Sequence, residues 1–155
     1  MEIEDLGPAE RFTAGAIGQP GRRRFYIQVS SAGTNHWLLA EKEQIRVLAM
    51  EGIRTLEGNG IESDPELVAG LIARGLEVQD PGEDGERFRV GEITLAMSGD
   101  WITCLIGSVD ADDGISFIIA PEQFRAMATM ALQAVAAGRP ICQWCRLPMI
   151  PDEHE

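Results

Sequence analysis

The chain has 155 residues, 45% of them hydrophobic, which suits one domain, or two small halves around a shared core, and excludes a disordered or collagen-like chain. Thirteen Lys and Arg against 25 Asp and Glu leave a formal charge of −12. That balance argues against a sequence-independent nucleic-acid binder, which needs a positive face for the phosphates, and against attachment to an anionic membrane. No stretch approaches the roughly 18 uninterrupted apolar residues of a membrane span. The acidic start MEIEDLGPAE has no apolar run, so no signal peptide is expected. The odd count of three cysteines, two of them in a Cys-x-x-Cys, suits a reducing cytoplasm better than a disulfide framework.

In chain order, Arg11 to Ile17 reads as a strand, Gly18 to Gly21 as a turn, and Phe25 to Val29 as a second strand rich in β-branched and aromatic residues. Ser31 to Asn35 is turn chemistry, and Trp37 to Ala40 is a short third strand. Ile45, Leu48, Ala49, Gly52, Ile53 and Leu56 then fall on one helical stripe, ended by Gly58-Asn59-Gly60. A short helix is predicted over 65–74, with Ser63 or Asp64 as its cap, followed by an acidic loop over 80–86. Arg87 to Ala96, Trp101 to Val109 and Ile115 to Ala120 read as three more strands. Pro121 opens a helix with the stripe Phe124, Met127, Ala128, Ala131, Leu132 and Val135.

Two matches in the same order suggest a duplication. Arg11-Phe12-Thr13-Ala14-Gly15-Ala16-Ile17 resembles Arg87-Phe88-Arg89-Val90-Gly91-Glu92-Ile93. Further on, Trp37 to Ala40 with Glu43 to Arg46 resembles Phe117 to Ala120 with Glu122 to Arg125. The expected fold is α+β: two βββα repeats, about 11–60 and 87–138, joined by the helix over 65–74. Short connections allow antiparallel pairing, so a mainly antiparallel sheet of about six strands packed by helices is expected. A tail over 139–155 lies outside this body of 1–138.

Gly15-x-x-Gly18-Gln19-Pro20-Gly21, Phe25-Tyr26-x-Gln28, Glu41-Lys42-x-Gln44, Phe88-Arg89-Val90-Gly91 and Gly138-Arg139-Pro140-x-Cys142-x-x-Cys145 occur in one order. With these residues the chain resembles an uncharacterised bacterial family, catalogued as a domain of unknown function and sometimes labelled a repeat protein. The likeness runs from Arg11 to His154. The family carries no established activity, so the resemblance implies a bacterial cytosolic protein with a metal-type tail and transfers no mechanism.

In that tail, Cys142 and Cys145 with His154 give Cys-x2-Cys-x8-His, three ligands for a zinc ion that normally takes four. The resemblance implies a further Cys two residues after the His, and this sequence ends at Glu155, one residue before that place. Cys104, Asp152, Glu155, water or another chain could complete the set. A redox role for the pair lacks the following helix that would lower a thiol pKa. Trp144, between the cysteines, is a candidate for partner recognition or for packing the tail.

Arg22-Arg23-Arg24 is the densest cationic run. Arg22 and Arg24, on one face, could bind phosphate or carboxylate, or could simply form a solvated hairpin edge. Arg46 and Arg125, each three residues after a glutamate, could form a paired anion site or i,i+3 ion pairs. His36 has no catalytic partner pattern, and Asp110 to Gly114 reads as a hairpin turn, since the ligand spacing of a calcium loop is missing. The leading expectation is a non-catalytic binding or adaptor protein with a zinc-type tail and a protein partner. The alternative is an enzyme gripping an anionic small molecule in an inter-repeat cleft with Arg22, Arg24, Arg46 or Arg125.

Overall fold

The structure, a computed structural model, describes residues 2–19 and 21–137. In chain order the elements are β1 (Glu2–Pro8), β2 (Arg11–Ile17), β3 (Arg24–Ser31), β4 (Thr34–Ala40), α1 (Lys42–Gly58), α2 (Pro65–Ala73), β5 (Phe88–Ser98), β6 (Trp101–Ser108), β7 (Asp113–Ile119) and α3 (Pro121–Ala137). The fold is α+β, as expected. Among the described residues no helix is long and apolar enough to cross a membrane.

The sheet has seven strands in the order β1-β7-β6-β5-β4-β3-β2, one more than expected. The addition is β1, whose acidic sequence buries almost nothing and so carries no apolar alternation to read. It is recruited through its backbone, in a parallel pairing with β7 that runs from Glu2–Asp113 to Pro8–Ile118. A second parallel contact joins β4 to β5 through Leu38–Phe88 and Leu39–Arg89. The remaining four pairings are antiparallel.

β1 leads almost directly into β2. The Ala9 N–H donates to Ile118 O at 2.9 Å, and the Glu10 N–H donates to Ser30 O at 2.8 Å. One bent path therefore pairs with β7 at one end of the sheet order and with β3 at the other. The two ends meet in the core, where the Phe12 ring lies 5.2 Å from that of Phe117 and 6.1 Å from that of Phe124.

Because β1 and β7 run parallel, α3 leaves β7 alongside the continuing β2, against which it packs. Likewise β4 runs into α1 while β5 continues beside it. Each helix is fixed at its start by a glutamine. Gln44 Oε1 accepts from Glu41 N at 2.8 Å while its Nε2 donates to Val90 O at 3.0 Å. Gln123 Oε1 accepts from Ala120 N at 2.8 Å while its Nε2 donates to Ala9 O at 2.9 Å.

The opposite face of β2–β4 is crossed by the segment 75–79. Arg11 donates to the carbonyls of Gly75 and Glu77, and Thr13 to that of Leu76. Gln28 and Gln79 exchange two bonds, and the Trp37 indole donates to Gln79 O at 2.8 Å. Thr13 and Gln28 are fully buried, so the strap satisfies polar groups that would each otherwise cost about 1–3 kcal/mol.

The expected apolar stripes of α1 and α3 are buried, Ile45, Leu48, Ala49 and Leu56 on one helix and Phe124, Met127, Ala128 and Ala131 on the other, and the two helices pack against each other. Their crossing depends on Gly52. A Cβ there would lie 1.8 Å from Phe124 Cζ, so only glycine admits the ring. Gly52→Ala gains about 1 kcal/mol of helix propensity but overpacks a core site at a typical cost of 1–3 kcal/mol. The expected outcome is a lower thermal midpoint; an unchanged or higher midpoint would show that the ring moves aside freely.

Candidate functional site

The strands β3, β4 and β5 end together where α1 begins. The register aligns Tyr26 with Leu39, and Leu39 with Arg89, across three strands. Arg24 lies two residues before Tyr26, on the same face. Lys42 opens α1 directly after Glu41. Around these residues lies a cavity of about 360 Å³, lined by Arg23, Arg24, Lys42 and Arg89 together with Phe25, Leu39 and the carboxylate-bearing Glu41. The exposed Arg22 stands in the preceding turn.

This mouth concentrates positive charge in a protein of net charge −12: of its 13 Lys and Arg, Arg22, Arg23, Arg24, Lys42 and Arg89 gather here. Arg23 faces inward, donating to Ala134 O at 2.9 Å, with its guanidinium 5.0 Å from the Phe25 ring centre. Arg24 is exposed, and a hydrogen bond with Tyr26, then the Tyr26 and Glu86 charges, raise its pKa. Among the described residues no carboxylate pairs directly with Arg22 or Arg89. An exposed group of cations around an apolar floor of Phe25 and Leu39 can hold a carboxylate or phosphate, arginine doing so through paired N–H donors.

The candidate arginines Arg22, Arg24, Arg46 and Arg125 do not share one place. Arg46 pairs with Glu43, its Nε 3.0 Å from Oε2, as an i,i+3 pair. Arg125 does not pair with Glu122; it donates to the carbonyls of Glu62, at 2.9 Å, and Ile61. Only Arg24 of the four lines the mouth, with Arg22 beside it. Lys42 and Arg89 stand in the sequence within the motifs Glu41-Lys42-x-Gln44 and Phe88-Arg89-Val90-Gly91, with no site role expected of them. The parallel β4–β5 register that brings Arg89 to Leu39 was the missing information.

A second polar cluster ties the far ends of the strands. Arg87 makes a two-pronged bond to Asp113, both contacts at 2.9 Å, and donates to Glu4 at 2.7 Å. His36 Nδ1 lies 3.2 Å from Arg87 Nη1. Burial and then the Arg87 charge hold the His36 pKa below its ordinary value, while the bonds from Arg87 lower that of Asp113. With every guanidinium edge matched, this cluster joins β1, β4 and β7 and is structural. The hairpin turn expected over Asp110 to Gly114 occupies 109–112, with Asp113 and Gly114 already in β7, and Ser108 Oγ donates to Asp112 at 2.9 Å.

Cys142, Trp144, Cys145 and His154 lie outside the described residues. Cys104 is fully buried, and burial pushes its thiol well above the ordinary range, which makes it a core residue of β6. Among the described residues no group of three or more His, Cys, Asp or Glu is placed to hold a metal.

No curated protein and no solved structure matches the chain. Residues 5–155 match the family model described as Protein of unknown function (DUF3090), and the chain belongs to that family.

Proposed function

We propose that the chain is a non-catalytic binding protein whose basic mouth grips an anionic group on a protein partner, while Cys142, Cys145 and His154 hold a zinc ion. The observation that carries this reading is the grouping of Arg23, Arg24, Lys42 and Arg89 around one cavity in a chain of net charge −12. Of the arginines outside it, Arg46 pairs with Glu43, Arg54 with Glu51 and Arg87 with Asp113 and Glu4, while Arg11 and Arg125 donate to backbone carbonyls. In the enzymatic alternative Arg22, Arg24, Arg46 or Arg125 grips an anionic small molecule; the present partners of Arg46 and Arg125 do not favour those two.

Two further parts of the reading go with it. The body is a duplicated βββα unit, and the support is the pair Gln44 and Gln123, which make the same two kinds of bond at the starts of their helices. The zinc-bearing tail works in a reducing cytoplasm, which keeps its thiols available as ligands; metal binding there would also fold the segment.

Calorimetric titration with tripolyphosphate as probe tests the mouth. Arg24→Glu with Arg89→Glu is expected to weaken binding by at least about tenfold, and the affinity to fall with salt. Arg46→Glu, the same charge change elsewhere, leaves it intact. Equal losses from both substitutions would refute the mouth. Metal analysis of purified protein tests the tail. The expected result is about one zinc per chain, lost in Cys142→Ser. No zinc in this chain, nor in one extended past Glu155, contradicts it.

A further inference from the structure

The last turn of α3 ends beside the mouth. Arg23, which lines the cavity, donates to Ala134 O at 2.9 Å. Basic side chains commonly hold the final carbonyls of a helix in this way. Ala137, the last described residue, lies three residues or about 4.5 Å of helix beyond Ala134. One guanidinium therefore joins the wall of the mouth to the root of residues 138–155.

The mouth and the far part of that segment carry opposite charge. Arg23, Arg24, Lys42 and Arg89 surround the cavity, and its one lining carboxylate, Glu41, is engaged in the α1 capping box, where it accepts the Gln44 backbone N–H. Outside the described residues, Asp152-Glu153-His154-Glu155 places three carboxylates within four residues, and Arg139 and Arg146 stand at least six residues earlier. The 14 residues over 138–151 give this run a reach of up to about 50 Å from Ala137. A zinc ion on Cys142, Cys145 and His154 would keep it nearer, because Cys142 stands five residues after Ala137 and His154 lies among the acids.

We propose that the chain's own acidic run over 152–155 occupies the mouth, its carboxylates against Arg24, Lys42 and Arg89, so that an anionic group of a partner binds by displacing it. This rests on the mouth reading above and adds its regulation; it does not depend on the zinc. Tethering supplies the affinity: a segment of the same chain meets the mouth at an effective concentration in about the millimolar range, so individually weak ion pairs suffice. The fraction of mouths so occupied lowers the apparent affinity for a competing anion in proportion.

Lys42 is the only lysine in the sequence, which makes a coupling test selective. A carbodiimide joins an amine to a carboxylate without a spacer. In the intact protein it is expected to link Lys42 to Asp152, Glu153 or Glu155 of the same chain, at a yield unchanged by dilution and suppressed by Arg24→Glu with Arg89→Glu. Linkage between chains only, or no link from Lys42 to this run, overturns the proposal. Titration with tripolyphosphate is the second test. Asp152→Asn, Glu153→Gln and Glu155→Gln together are expected to tighten binding at least about threefold. Glu57→Gln, Glu62→Gln and Glu66→Gln make the same charge change at exposed positions at the far end of α1 and on α2. An equal gain from that second set overturns the proposal. So does wild-type affinity in the 152–155 variant, which leaves the mouth standing. Tripolyphosphate bound by neither the wild type nor the 152–155 variant refutes the mouth itself, and this proposal with it.

Discussion

Each long helix in this protein is tied to a strand that continues past it, and the tie is a single glutamine. Gln44 and Gln123 each accept from the backbone at the helix start and donate to a carbonyl of the neighbouring strand, Val90 in one case and Ala9 in the other. A hydrogen bond of this kind contributes about 1 kcal/mol net, and leaving its buried partner unmatched costs more. Its larger effect is geometric. A strand that turns into a helix gives up its pairing edge, and the glutamine sets where the helix then lies relative to the strand left behind. At β2 the result is a covered edge; at β5 it is a groove of about 510 Å³.

The charge distribution follows the same division of labour. Arg87 crosses between β4 and the β1–β7 pair, where Asp113, Glu4 and His36 surround it. Arg11 holds the strap over 75–79, and Arg125 holds the segment after α1. These guanidiniums fix long-range contacts that the acidic surface would otherwise weaken by self-repulsion. Those at the strand ends beside α1 are placed differently: Arg24 and Arg89 project outward from the β3–β4–β5 row.

Local patterns in the sequence carried much of the fold. The helical stripes from Ile45 to Leu56 and from Phe124 to Val135 are the faces that meet, and the hairpin turns at Gly18, Gly99 and Asp110 lie between paired strands. Asp64 caps α2 through its side chain, one of the two residues expected there. What escaped was non-local. β1 is acidic and pairs by backbone alone, so no alternation announces it. The β4–β5 contact spans only Leu38–Phe88 and Leu39–Arg89, and without it Arg89 reads as an ordinary strand residue. The strap over 75–79 satisfies Thr13 and Gln28 with backbone carbonyls and amides that no side-chain pattern encodes. Of the first internal match, Arg11 lies inside β2, whereas Arg87 precedes β5 and serves a different partner set. The arginines of the candidate site were legible only as a run at 22–24; their companions Lys42 and Arg89 came from topology.

Beyond Arg89, among the described residues, β5 pairs with a strand on its β6 side alone. Residue-resolved amide hydrogen exchange of the intact protein tests it directly. In an antiparallel pairing alternate residues face the same neighbour, so amides over 93–98 that point to β6 should be protected while those between them exchange as quickly as loop amides. Uniform protection along this stretch would contradict an open edge.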